Sequence, residues 1–230
     1  MDGREPSDDQ PRQAESASIG ILGGTGAQGR GLARRFARAG REVVIGSRSR
    51  ERAQAVAGAY GPTEGSVRGG SNREAAATDM IIVAVPYDGH ADLLNSLVDD
   101  LGGKIVIDCV NPIGFDGHGP FPLTVPAGSA AQEAQQILPR STVIAAFHHV
   151  SAVQLDDPAL DTVPGHVLVL GEDRDAVQTV CELACDVTRA GGIYAGRLRN
   201  AGQVEAFSAN LIAINRRYRT HAGIEITGVR

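Results

Sequence analysis

Three glycines carry the most recognisable chemistry in this chain. Gly24, Gly26 and Gly29 stand in the spacing G-x-G-x-x-G, directly after the short apolar run Ile19-Gly20-Ile21-Leu22. From Gly31 to Ala39 the spacing turns helical, with Leu32, Phe36 and Ala39 on one side. A strand, a tight turn and a helix in that order gather unpaired N–H groups and the positive end of a helix dipole at one point, where a pyrophosphate binds. Glycine serves there because the turn is too sharp for a Cβ, the backbone must approach the anion, and helix and strand pack closely.

A second apolar run, Glu42 to Gly46, follows the break at Ala39-Gly40 and completes a βαβ unit of the expected length. At the end of that second strand an enzyme using NAD places Asp or Glu on the ribose hydroxyls. Here the residues are Ser47 and Arg48, with Arg50 and Arg52 just beyond. A carboxylate repels a 2′-phosphate, whereas a hydroxyl and a guanidinium hold it by charge-assisted hydrogen bonds. The cofactor implied is therefore NADP(H). Reading these arginines as a merely solvated helix start lacks a physical motive, since cations at a helix N-terminus oppose its dipole.

These elements must be positioned by an α/β fold. The alternation of apolar runs and helical stretches predicts a Rossmann-type, doubly wound, mostly parallel sheet with a small C-terminal helical and strand extension. Residues 1–17 are polar and charged and read as a disordered tail. Residues 18–152 form the expected NADP-binding domain, and residues 153–230 complete the sheet and cover the second half of the site. The 230 residues carry a formal net charge of -5, which gives no general attraction to nucleic acid. No apolar run approaches the length that crosses a bilayer, and the polar N-terminus is not a secretory signal, so a cytoplasmic protein is expected. Cys109, Cys181 and Cys185 make an odd count without metal spacing, and no structural disulfide is expected. Cys181 and Cys185 lie four apart in a helical pattern and read as small buried residues.

Further along, helices are predicted over 50–59, 72–78, 91–101, 129–138 and 174–184, and strands over 80–85, 104–109, 142–147 and 167–170. A last short strand follows a turn over 189–194, and residues 61–70 read as loop with a short strand. Two strands end in X-Pro turns, Val85-Pro86-Tyr87 and Asn111-Pro112, at the carboxyl edge where open α/β sheets bind ligands. Two readings of this turn stand side by side: Tyr87 lies against a nicotinamide riboside, or Pro86 simply ends the strand and Tyr87 is an ordinary half-exposed tyrosine. Phe115 to Gly128 shows neither period and reads as an ordered lid or wall. Ser129 is the expected N-cap of the following helix, with Gln132 as in a capping box. From Asn200 to Arg219 the helical spacing runs through Val204, Phe207, Leu211, Ile214 and Tyr218, with Glu205, Ser208 and Asn210 on the other faces. That helix covers a site or pairs with a second subunit; a homodimer is the expected assembly.

Acid–base residues are scarce. His148 and His149 are adjacent, so in a strand they face opposite ways and chelate one ion poorly; no metal is expected. The sequence holds no Ser-His-Asp pattern, no Tyr-x-x-x-Lys pair and a single lysine, Lys104. An alcohol dehydrogenase needs a group for the hydroxyl proton. Exchange between two carbon-centred hydride carriers needs chiefly alignment, because the cofactors supply the reacting atoms.

Gly23-Gly24-Thr25-Gly26, Gly46-Ser47-Arg48, Val85-Pro86-Tyr87, Asp108-Cys109-Val110-Asn111-Pro112, Ala146-Phe147-His148-His149-Val150 and Gly196-Arg197-Leu198-Arg199-Asn200 together resemble the coenzyme F420:NADP oxidoreductases, in particular an actinobacterial branch. The resemblance runs from about Ile19 to Val229. It implies reversible hydride transfer between NADP(H) and the deazaflavin coenzyme F420 as co-substrate. By matching position, Thr25, Gly26, Ala27 and Gln28 hold the pyrophosphate, and Ser47, Arg48 and Arg52 the 2′-phosphate. Val85, Pro86 and Ala152 line the nicotinamide side. His148 falls beside the transferring carbons, and Ser208, a threonine in the archaeal pattern, lies close to the deazaflavin. Arg197, Arg199, Arg216 and Arg217 suit the anionic polyglutamate tail by charge. Two other readings compete: an NADP-dependent imine or 2-keto-acid reductase of similar layout, and a non-catalytic NADPH sensor.

Overall fold

Strands that are apolar at every position have no solvent face, and such strands belong inside a parallel sheet covered on both sides. A computed structural model describes residues 17–61 and 65–229, so the expected tail lies outside the described residues apart from Ala17. Its strands are Ile19–Leu22 (β1), Glu42–Ser47 (β2), Ser66–Ser71 (β3), Met80–Val83 (β4), Ile105–Asp108 (β5), Ile113–Asp116 (β6), Gly119–Pro122 (β7), Thr142–Ala145 (β8), Val167–Leu170 (β9) and Gly192–Gly196 (β10). The α-helices are Ala27–Arg38 (α1), Arg50–Ala57 (α2), Asn72–Ala76 (α3), His90–Ser96 (α4), Ala130–Ile137 (α5), Ala152–Asp156 (α6), Arg174–Leu183 (α7) and Ala201–Tyr218 (α8).

Eight strands form one sheet in the order β10-β9-β8-β5-β4-β1-β2-β3. The pairs from β3 through β8 are parallel, and β9 meets β8 antiparallel before β10 runs parallel to β9. β1 lies between β2 and β4, so the winding reverses beside its carboxyl end, the switch point where such sheets open a crevice. The strands send alternate residues to two cores. Ile19, Ile21, Ile82 and Ile107 pack with Leu32 and Phe36 on one face, and Leu22, Ile81, Val83 and Val106 with Leu94 and Leu101 on the other.

Two sequence readings are corrected. Phe115 to Gly128 is not without a strand period, because β6 and β7 pair as an antiparallel hairpin, Gly114 opposite Phe121 and Asp116 opposite Gly119. Its turn is set by Asp116 Oδ1, which accepts from the N–H of His118 and of Gly119, and prolines are tolerated because the ribbon has only two edge strands. The inward side of α8 is mixed, with Glu205 and Ser208 lying beside Ala201, Ala209 and Leu211. Glu205 and Ser208 are buried, whereas Phe207, Ile214 and Tyr218 are exposed. The reason is what α8 packs on: the N-terminus of α5 and strand β7, which offer N–H groups as well as apolar surface. The second correction is that Cys185 is exposed and Cys181 only partly buried, and all three thiols are free.

A guanidinium no sequence pattern announced ties the helices together. Arg35, nearly fully buried on α1, donates to the carbonyls of Gln154, Asp157, Leu160 and Asp161, and so binds the loop after α6 to α1.

Candidate active site

The cradle begins with the turn after β1. Gly23 has φ +71, a left-handed conformation that suits glycine, and a Cβ on Gly29 would lie 2.5 Å from Gly24 Cα. α1 therefore begins at Ala27, earlier than its apolar spacing indicates, with Gly26 as N-cap and neither a side-chain cap nor an acidic residue in its first turn. Its N-cap and the turn before it, Gly23, Thr25 and Gly26, border a cavity of about 670 Å³. Thr25, Gly26, Ser47, Arg48 and Arg52 line one part of that cavity, and Val85 and Pro86 another. The predicted cofactor residues of the glycine turn, of the end of β2 and of the Val-Pro turn are thus brought together. Arg48 and Arg52 are exposed, while Arg50 pairs with Glu74 at 3.0 Å. Ser49 caps α2 by accepting from Arg52 N, which explains how arginines are tolerated at that helix start. A wider cavity of about 760 Å³ between α7 and β10 contains no part of this constellation.

Gln28 turns its side chain away from the cradle. Its Nε2 donates at 3.1 Å to the carbonyl of Phe147, a residue with φ +64 in the turn after β8. That turn carries His148 and His149, which therefore do not alternate as in a strand. The carbonyl of His148 accepts from Asn111 Nδ2 at 2.7 Å and from Ser208 Oγ at 3.0 Å, so the turns after β5 and β8 and helix α8 meet at one atom. Pro112 is buried behind Asn111, and Ala152 begins α6 just past this turn, after the cap Ser151. Tyr87 directs its hydroxyl to Glu133 Oε1 at 3.5 Å and its ring toward His90. Arg197 pairs with Glu172, and Arg216 and Arg217 lie in the last turn of α8.

His148 is 4% exposed, and among the described residues neither of its ring nitrogens has a hydrogen-bond partner; Asn111 Oδ1 is also unpartnered. Buried polar atoms are normally satisfied, so these three atoms are free to meet a bound group. Burial pushes the His148 imidazole down to about 4, against smaller opposing pulls from Asp108 and from the main chain of Val110. It is neutral at pH 7, able to donate one hydrogen bond and accept one. His149 is also pushed down to about 4 by burial, and its Nε2 accepts from Leu168 N.

Behind these residues sits a cluster that the sequence reading missed. His90, fully buried, contacts Asp108 Oδ2 through Nε2 at 2.6 Å and Glu133 Oε2 through Nδ1 at 3.1 Å. Burial alone lowers this imidazole, and the two carboxylates outweigh it and lift His90 to about 9. Burial raises Glu205 to about 7 although the N–H groups of Ala130 and Ala131 pull it down. The four residues are far apart in the chain, and no local spacing joins them.

A doubly wound sheet with an uncapped helix N-terminus and a basic strand end at its switch point defines a dinucleotide-binding α/β protein. Comparison with known proteins narrows this. Residues 18–112 match the family described as NADP oxidoreductase coenzyme F420-dependent. The chain is 37% identical to the F420-dependent NADP reductase of Methanothermobacter thermautotrophicus over 92% of its own length and 95% of the relative's. It is 35% identical to the reductase of the same description from Methanocaldococcus jannaschii, over 92% and 98%. A candidate F420-dependent NADP reductase from Arthrobacter sp. FB24 shares the fold, with a TM-score of 0.75 at 24% identity over 94% of this chain and all of the other. The chain belongs to the coenzyme F420-dependent NADP oxidoreductase family.

The two low-lying histidines set an acid limit. A histidine kept neutral by burial contributes stability above its ordinary value of 6.5 and loses it as pH falls through about 4. The melting temperature is expected to fall between pH 7 and pH 5, and less steeply for His148→Gln. Equal slopes in scanning calorimetry would remove this account of His148.

Proposed function

We propose that the chain catalyses reversible hydride transfer between NADP(H) and the deazaflavin coenzyme F420. One observation carries the donor half: two exposed arginines and Ser47 stand at the end of β2, in the same cavity as the open N-terminus of α1. Ser47, Arg48 and Arg52 hold the 2′-phosphate, and the backbone of Gly24, Thr25, Gly26, Ala27, Gln28 and Gly29 holds the pyrophosphate. Val85, Pro86 and Ala152 border the nicotinamide, with Tyr87, Asn111 and Pro112 behind. The residues from 18 to 152 supply this half, and those from 153 to 230 cover the deazaflavin.

NADPH, the oxidised deazaflavin and one proton give NADP⁺ and the reduced deazaflavin; the two substrates supply the reacting carbons. The protein aligns the rings and excludes water. His148, neutral and unpartnered, orients the second ring through a hydrogen bond and is not an obligatory base. Ser208 holds the His148 carbonyl from α8. An imine or keto-acid reductase requires a proton donor matched to its working pH. An imidazole lowered to about 4 does not meet that need.

Mixing the protein with NADPH and F420 is expected to bleach the deazaflavin's visible absorbance. Turnover of an imine or keto acid with F420 left unchanged would overturn the assignment, and tight NADPH binding with no acceptor would indicate a sensor. Replacing Arg48 and Arg52 together by Ala is expected to weaken NADPH by on the order of 10²-fold, from about 1.5–3 kcal/mol per charged hydrogen bond, while NADH binding changes little. Equal losses for both nucleotides in titration calorimetry would refute the 2′-phosphate role.

Phe207, Ile214 and Tyr218 of α8 are exposed, as are Phe115 and Phe121 of the hairpin whose strand β7 packs on that helix. An apolar surface of this kind marks a contact site, and we assign it to a second copy of the chain in a cytoplasmic homodimer. Light scattering on the eluted protein should give twice the 24.0 kDa chain mass, and Phe207→Glu should halve it; a wild-type monomer would exclude the dimer.

A further inference from the structure

Outside the dinucleotide cradle, the most unusual group in the molecule is His90. An imidazole with no solvent exposure contacts two carboxylates, one of them, Asp108, equally buried. The charged and titratable groups that face it are Asp108 at the end of β5, Glu133 on α5, Glu205 on α8 and Tyr87 in the turn before α4. None of them lines the cavity that holds the basic cluster.

The hydrogen bonds of this cluster lead to His148. Asp108 Oδ1 accepts from Val110 N at 3.0 Å, which shapes the turn after β5. The next residue, Asn111, donates to the His148 carbonyl, and Ser208 donates to the same oxygen. Ser208 lies one turn beyond Glu205, whose two oxygens accept from Ala130 N at 2.9 Å and Ala131 N at 3.1 Å. Those residues open α5, the helix that carries Glu133 back to His90. The path closes on itself through four elements, with the His148 carbonyl at one end and His90 at the other.

We infer that His90, clamped between Asp108 and Glu133, is a positioning residue for hydride transfer: it fixes the Val110-Asn111 turn and, through it, the main chain of His148. This rests on the reading of the crevice as the site of exchange between NADP(H) and the deazaflavin. His90 itself touches neither substrate.

The clamp needs both ring protons. A neutral imidazole donates from one nitrogen only, and would leave one of the two carboxylates without its bond. For Asp108 that is severe, because a buried carboxylate without a partner is strongly unfavourable. The ordinary histidine value is 6.5 and the folded one about 9, so the clamp's stabilisation is complete below 6.5 and is lost as pH rises through 9. Turnover therefore falls on the alkaline side near that value, while NADPH binding at Arg48, Arg52 and the α1 N-terminus has no such limb.

The test is kcat at saturating NADPH and F420 from pH 6.5 to 10, with the Kd of NADPH measured in parallel, for wild type, His90→Gln and Glu133→Gln. His90→Gln is expected to lower kcat by on the order of 10²-fold, as for a small misplacement of reacting groups, to abolish the alkaline limb and to leave the NADPH Kd nearly unchanged. Glu133→Gln, at a partly exposed position, is expected to fold and to move the limb to lower pH. A limb unmoved in Glu133→Gln, or wild-type kcat in His90→Gln, would overturn the proposal, and Glu133→Gln decides alone if His90→Gln does not fold. Nitrogen-15 resonances of labelled histidine should show both ring N–H groups of His90 at pH 8. A neutral ring would sink the clamp, and this readout is independent of whether the wild type reduces F420.

Discussion

The structure depends on how closely α1 lies against β1. A single methyl group at Gly29 would overlap the backbone of Gly24, and one at Gly20 would lie 1.9 Å from the carbonyl of Ala75 on α3. At these two points backbone meets backbone with no side chain as spacer, while Ile19 and Ile21 pack on Leu32 and Phe36 along the rest of α1. Because the helix cannot stand off the strand, its leading N–H groups end at the edge of the sheet, beside β4 and the end of β2. The basic residues after β2 and the proline turn after β4 gain their meaning from that placement. With a side chain at position 29 holding the start of α1 off the glycine turn, the same residues would surround no anion-binding point.

From this edge the site divides into two electrostatic environments. The half near Arg48 and Arg52 is open and cationic, suited to phosphate groups that keep part of their hydration. The half near His148 is dry, and its imidazoles are neutral there because the surroundings refuse an unpaired charge. His90 lies nearby and is pushed the opposite way, since its burial is accompanied by two acids. Two buried histidines thus differ in charge at neutral pH for one physical reason, the presence or absence of a carboxylate within hydrogen-bond reach.

Much of this was legible in the chain. Ile19–Leu22, Met80–Val83 and Thr142–Ala145 read as strands because fully buried parallel strands are continuous apolar runs, and the glycine spacing with Ser47-Arg48 located the anion cradle. The start of α1 was not, because Gly29 and Gly31 depress helix propensity at positions where tertiary packing excludes larger residues. The hairpin over 113–122 was hidden by its prolines, although Asp116-Gly117 is a hairpin turn signal. Periodicity located the apolar stripe of α8 without saying which side packs inward, because Leu211 is buried while Phe207, Ile214 and Tyr218 are exposed. His90, Asp108, Glu133 and Glu205 were invisible as a group: only the winding order of β4, β5 and α5 brings them together.

The case of Glu205 explains why polar residues were placed inward at all. Ser129 satisfies only the N–H of Gln132 at the start of α5, which leaves Ala130 and Ala131 with donors in a buried place. A carboxylate from another helix answers both donors and complements the helix dipole, yet its own burial raises it to about 7, so the bond is strongest where the group is ionised. An apolar residue at 205 would pack equally well and leave two orphan donors. Apolar burial of Ala201, Ala209 and Leu211 holds α8 down, and the bonds of Glu205 and of Ser208 to the His148 carbonyl add direction, because they fix an angle that hydrophobic contact leaves free.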